Sequence, residues 1–210
     1  MSYGDVALGV ECALPPATAP TSGRRVGRWM LLFLAAAGVV QFGQAGYIHA
    51  KAQLAQVLLE RAWQRTLAGE TAVKPWPWAD TWPVARLVAP GQRMDLLVLA
   101  GANGRTIAFG PGHLDGTPLP GTHGNSVIGG HRDTHLAFLR HLKRGDRLMV
   151  ERADGKRVDY RVTELDVLDK QDTWVTRNEG VSRLTLVTCW PFDALRAGGP
   201  QRYVVIAQKT

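Results

Sequence analysis

Three residues of different chemistry, each at the edge of a β-rich run, could together attack and cleave an acyl bond. Cys189 ends the run Leu184-Thr-Leu-Val-Thr-Cys189 and is followed by Trp190-Pro191. Proline cannot continue a sheet ladder, so the chain leaves the strand there and the sulfur can face a groove. The thiolate is the reactive form, and it needs a base or cation nearby. Without such a neighbour, a lone cysteine is more often buried and inert. His131 follows Ser126-Val-Ile-Gly-Gly, and histidine is the side chain whose proton moves near neutral pH. Arg202 opens Arg202-Tyr-Val-Val-Ile-Ala207, thirteen positions after Cys189. A strand-loop-strand hairpin would bring the two to one sheet edge. An arginine there can hold a carbonyl or oxyanion without giving up its proton. Taken singly, His131 and Arg202 would read as surface residues.

Composition narrows the alternatives. The chain has 210 residues, 45% of them hydrophobic and 20% charged, which suits a globular domain plus a tail. Lys and Arg exceed Asp and Glu by 25 to 18, a formal +7. The basic residues are scattered along the chain, as on a solvated surface, and no nucleic-acid partner is expected. The only cysteines are Cys12 and Cys189. They build no CxxC pair, zinc spacing or disulfide framework, so neither metal nor cofactor is expected.

The elements that must position these residues begin far upstream. Residues 1–28 read as a disordered cytoplasmic tail, poor in bulky apolar residues, with Pro15, Pro16 and Pro20 before Arg24, Arg25 and Arg28. From Trp29 to Tyr47 nineteen residues carry no charge. As a helix they would span about 28 Å, near the thickness of a bilayer core. Trp29 and Tyr47 suit the headgroup level, and the three arginines place the N-terminus inside the cell. A cleaved signal peptide competes, because Ala50-Lys51-Ala52 is small-x-small. Its apolar region and the tail before it would both be long for a signal, so a membrane anchor contacting lipid is the preferred reading.

Residues 48–83 read as a juxtamembrane helix and a linker. Leu54, Val57, Leu58, Arg61, Ala62 and Arg65 recur at helical spacing, and Gly69 ends the run. Lys74-Pro-Trp-Pro-Trp-Ala-Asp-Thr-Trp-Pro83 then forbids regular helix. Its tryptophans read as staples onto the domain surface, with a binding groove as the alternative. Residues 84–210 form the last domain. Short strands are predicted at Val84–Val88, Asp95–Ala100, Thr106–Phe109, Ser126–Gly129, Arg147–Arg152, Val158–Val167, Leu184–Cys189 and Tyr203–Gln208, separated by Gly, Pro, Asn and Asp. A helical piece at His135–Leu142 interrupts them. Such a set of short strands argues for a mostly β, closed barrel or a sandwich.

The combination carries a resemblance. Gly124-Asn-Ser-Val-Ile-Gly-Gly-His-Arg-Asp-Thr134, then Thr185-Leu-Val-Thr-Cys189, then Arg202 before a β run, resembles the sortase family. The TLxTC box matches at Thr185–Cys189 and the histidine box at Asn125–Arg132, within a match covering roughly 84–208. The resemblance implies an eight-stranded sortase β-barrel with short helices, here preceded by a transmembrane helix. It gives His131, Cys189 and Arg202 the family's catalytic roles and sets Thr188 beside the substrate groove. The stretch Gly110-Pro-Gly-His113 to Gly121 looks like that of class D-like and Gram-negative sortases, and there His113 would help shape the pocket. Asp133 reads as the cap of the following helix, with orientation of His131 as the alternative. His135 and His141 read as surface residues, and no acid cluster suggests a calcium site.

The activity so implied is a cysteine transpeptidase that cleaves an LPXTG-like C-terminal sorting signal on a protein substrate. It would pass the acyl group to an amine acceptor that the sequence does not identify. The catalytic domain would lie outside the cytoplasm on a bacterial inner or plasma membrane. An L,D-transpeptidase is the nearest enzymatic rival, but its Ser-His-Gly-Cys box is absent. A non-catalytic, membrane-tethered binding module on the same barrel is the rival of another class.

Overall fold

The computed structural model describes residues 21–210 except Leu195 and Ala197, with side chains given from Val26 onward. Most of the expected tail, with Cys12, lies outside the described residues. The first element, α1 (Thr21–Leu67), is one continuous helix of 47 residues, so helix begins before Trp29. The chain divides into two compact units, Met1–His49 and Ala50–Thr210. In the first, no described side chain from Val26 onward is buried, and Trp29, Phe33 and Phe42 are 72%, 72% and 82% exposed. This part of α1 is long and apolar enough to cross a membrane.

The second unit begins with the rest of α1, and its buried stripe shares only Ala62 with the residues whose spacing marks the helix. The buried residues are Ala55, Leu59, Ala62, Trp63 and Thr66, whereas Leu54 and Val57 are exposed. The i, i+4, i+7, i+8, i+11 stripe packs on the barrel, Gln56 donates to the Phe109 carbonyl at 2.9 Å, and Glu60 pairs with Arg86. The linker packs too. Trp76 meets Phe109 edge to face with centroids 5.0 Å apart, and Thr81 Oγ1 donates to the Ala100 carbonyl at 2.7 Å. Trp78 stays 83% exposed. Residues 50–83 are therefore part of the folded domain. Trp63, fully buried, tests this: in a chain starting at residue 50, Trp63→Ala should cost about 3–5 kcal/mol in urea unfolding. A cost below about 1 kcal/mol, the range of surface changes, would show that the helix is dispensable.

Eight strands follow: β1 (Pro83–Ala89), β2 (Met94–Ala100), β3 (Gly112–His113), β4 (Asn125–Gly129), β5 (Arg147–Arg152), β6 (Arg157–Asp169), β7 (Arg183–Trp190) and β8 (Gln201–Lys209). They close into a barrel in the order β1-β2-β3-β4-β7-β8-β6-β5. Alternation fills the interior from one face of each strand: Ala85 and Leu87, Leu148 and Val150, Val158, Tyr160 and Val162, Leu184 and Leu186, Val205 and Ala207.

One expected strand fails locally. Thr106–Ala108 is a 3-10 turn rather than a strand, because Asn103 Oδ1 accepts the amides of Arg105 and Thr106 and curls the chain. The strand that takes its place is β3, only two residues long. Gly112 is needed there, since a Cβ would stand 2.2 Å from the Gly101 carbonyl oxygen. The helical piece expected at 135–142 is a 3-10 helix, Ala137–His141, with Phe138 and Leu139 buried.

Candidate active site

Strand parity decides where the chemistry points. In β7, Leu184 and Leu186 face the core, so Thr185, Val187 and Cys189 face outward. β8 pairs antiparallel with β7, and Cys189 stands opposite Arg202. β4 runs parallel to β7 with Gly129 beside Val187, and the Gly130 amide still donates to the Val187 carbonyl at 3.2 Å. His131 follows directly after Gly130, two residues beyond the end of β4. The register thus brings Cys189 and Arg202 together on one side of the barrel, and the strand that leads to His131 runs beside them.

That outer face is the floor of a groove of about 480 Å³. Cys189, Arg202 and Thr188 line it with Gly129, Gly130 and Val187. One wall comes from the segment after β6, with Asp169, Lys170, Asp172 and Thr173. The groove is mixed in character, with apolar side chains such as Val187 and Val204 below a charged wall. His131 is exposed and is not among the residues that line the groove, while Cys189 and Arg202 line it and are half-buried. Arg202 Nη1 donates to the carbonyls of Gly199 at 2.7 Å and Gln201 at 2.8 Å. No hydrogen bond joins His131 to Cys189 among the described residues. The link between their segments runs through Thr188 Oγ1, which donates to the Gly130 carbonyl at 2.7 Å.

The remaining expectations sort by contact. Thr188 borders the groove but is 2% exposed, and its hydroxyl is spent on Gly130. His113 is 6% exposed. Its Nε2 lies 3.0 Å from the Pro118 carbonyl and 3.0 Å from Thr117 Oγ1. It holds the turn behind β3 and does not line the groove, where Leu114 stands instead. Asp133 neither caps a helix nor reaches His131; its carboxylate meets Arg132 Nε at 3.3 Å. His141 is exposed, but His135 is half-buried. Burial, then the electrostatic interaction with the neighbouring His131 imidazole, holds His135 below the usual histidine range. Among the described residues no group of His, Cys, Asp and Glu could hold a metal ion.

Two residues of the matched boxes act in a way their types alone did not reveal. Asn125 is fully buried. Its Nδ2 donates to the carbonyls of Val175 at 2.7 Å and Arg177 at 3.0 Å, and its Oδ1 accepts from Thr185 Oγ1 at 2.7 Å. The pair pins the groove wall to the barrel. Thr185→Val would leave Asn125 Oδ1 buried without a donor, which should cost about 1–3 kcal/mol in chemical denaturation. An unchanged denaturation midpoint would show that the wall does not need this network.

A model of the sortase domain family matches residues 87–210. Sortase D of Bacillus subtilis is 28% identical over 124 residues, covering 59% of this chain and 62% of the relative. The chain thus spans about three-fifths of that protein's length. Among solved structures, sortase C-1 from Actinomyces oris is 31% identical, with a TM-score of 0.55, covering 61% of this chain and 74% of that one. Sortase A from Corynebacterium diphtheriae, 24% identical with a TM-score of 0.57, covers 74% of this chain and 84% of its own and shows the shared fold. These relatives carry three different sortase letters, so what they share is the family rather than one class. With more than half of the chain inside the family match and the barrel pairing Cys189 with Arg202, the protein belongs to the sortase family.

Proposed function

We propose that this protein is a membrane-anchored cysteine transpeptidase acting on a C-terminal, LPXTG-like sorting signal. The observation that carries the reading is the cross-strand pairing of Cys189 with Arg202 in the groove, with His131 two residues beyond the end of the neighbouring strand β4. The Cys189 thiolate attacks the carbonyl carbon of a Thr–Gly peptide bond, and the negative charge moves to the carbonyl oxygen. Arg202 and nearby backbone N–H groups stabilise that oxyanion. The C–N bond breaks, and His131 in its cationic form protonates the departing amine. The acyl group is left as a thioester on Cys189. An incoming primary amine attacks the thioester, gives its proton to the now neutral His131, and releases the thiolate. Residues 29–47 would hold the groove beside substrates emerging at the outer face of the membrane.

Mass spectrometry of products from a peptide library of LPXTG-like variants, with and without added amines, tests the chemistry. Cleavage after threonine and a new amide to the added amine are expected. No cleavage of any member would turn the reading toward a binding module. Alkaline phosphatase fused after residue 70 tests the topology, because it is active only outside the cytoplasm. An inactive fusion would reverse the orientation.

A further inference from the structure

Arg132 follows His131 directly, yet it turns away from the groove and is 4% exposed. Its Nη1 donates to the Pro191 carbonyl at 2.8 Å, and its Nη2 to the carbonyls of Ala194 at 2.6 Å and Arg196 at 3.0 Å. All three acceptors lie in the connection between β7 and β8, the loop that joins Cys189 to Arg202. Pro191 is two residues past Cys189 and Arg196 six before Arg202. The same loop is held from its far end by Arg202 on Gly199. It is packed at its start by Phe192, which lies edge-on to Trp190 and Tyr203 with centroids 5.6 and 5.2 Å away.

Stability is a poor reason for this arrangement. Desolvating a guanidinium is costly, its one acidic partner Asp133 is 67% exposed, and a well-packed apolar residue often serves a core no worse than a buried charge. Geometry is a better reason. A planar fork reaches diverging carbonyls that a single ammonium cannot, and here it ties the backbone beside His131 to the backbone beside Cys189. We propose that Arg132 is a positioning residue: it fixes the loop after Cys189 against the histidine turn, so that nucleophile and proton donor stay in register. This rests on reading Cys189 and His131 as a reacting pair.

The test is the rate of iodoacetamide alkylation at Cys189 in the full-length protein, followed by mass spectrometry of the Cys189 peptide. Four proteins are compared: the parent, His131→Ala, Arg132→Lys and the double variant, with melting temperatures measured in parallel. In the parent background His131→Ala should slow alkylation roughly tenfold, within the range for coupled neighbours. In the Arg132→Lys background the same change should matter by less than about twofold, the coupling having been lost. Turnover of a sorting peptide by Arg132→Lys should fall in kcat with little change in KM, at a temperature where the parallel melting curve shows the variant fully folded, so that a smaller folded fraction does not account for the loss. If His131→Ala leaves the parent rate unchanged, the catalytic-pair reading itself fails. If His131→Ala slows both backgrounds equally, only the role of Arg132 is overturned. Loss of the folded state in both Arg132→Lys and Arg132→Gln would make it a stability residue and overturn that role as well.

Discussion

A Cys189→Ala variant should keep its fold and lose all measurable turnover. The sulfur is half-exposed in the groove rather than packed in the core, so removing it opens no cavity and the melting temperature should move little. Every covalent step of the proposed reaction depends on it: Cys189 is free, and the other cysteine of the sequence, Cys12, lies outside the described residues. Cys189→Ser should fail too, since a hydroxyl is far weaker as a nucleophile without a base strong enough to deprotonate it. With the parent protein and a slow substrate, intact-mass measurement should trap one acyl adduct, and fragmentation should place it on Cys189. The effect expected is the largest that a single change can produce here. Residual cleavage well above the uncatalysed rate in Cys189→Ala would sink the transpeptidase reading altogether.

Much of this arrangement is legible in the sequence, because a period of two is easy to read in strands rich in Val, Leu and Thr. Seven of the eight strands stand where alternation places them, and the parity of Thr185, Val187 and Cys189 follows from the leucines between. The failures have local causes. Thr106–Phe109 has β-favouring residues, but the Asn103 side chain captures two amides and forms a turn. β3 is too short to show a pattern, and its existence depends on Gly112 meeting Gly101. The spacing of Leu54, Val57, Leu58, Arg61, Ala62 and Arg65 marks the helix at 50–67 but not its buried face, which is Ala55, Leu59, Ala62, Trp63 and Thr66, partly small or amphipathic residues whose burial depends on the surface they meet. Arg132 was invisible for another reason. Its partners are backbone carbonyls 59 to 64 positions away, and a carbonyl has no residue type to recognise.

Arg202→Lys should be nearly as damaging as loss of the nucleophile, although it keeps the positive charge. Arg202 sits opposite Cys189 in the β7–β8 pairing, and its Nη1 is already committed to two loop carbonyls, Gly199 and Gln201. Anchored by one nitrogen, the planar guanidinium can hold its remaining N–H groups toward charge that develops on a carbonyl oxygen bound at Cys189. A lysine ammonium is a single flexible point. It can satisfy the loop or approach the oxyanion, but it has no rigid fork with which to do both. Loss of one pre-organised donor of this kind costs ~2.7–4 kcal/mol at the transition state, or about 100–1000-fold in rate. Because the interaction strengthens only as charge develops, the loss should fall on kcat and on kcat/KM alike, with KM nearly unchanged. Alkylation of Cys189 involves no oxyanion, so the same variant should react with iodoacetamide at close to the parent rate. That contrast separates oxyanion stabilisation from simple support of the thiolate. If Arg202→Lys retains kcat/KM within a few-fold of the parent, another cation holds the oxyanion. The nearest to argue for would then be Lys170, across the groove in its charged wall. If alkylation collapses together with turnover, Arg202 instead acts on the sulfur, and the division of roles between Arg202 and His131 has to be redrawn.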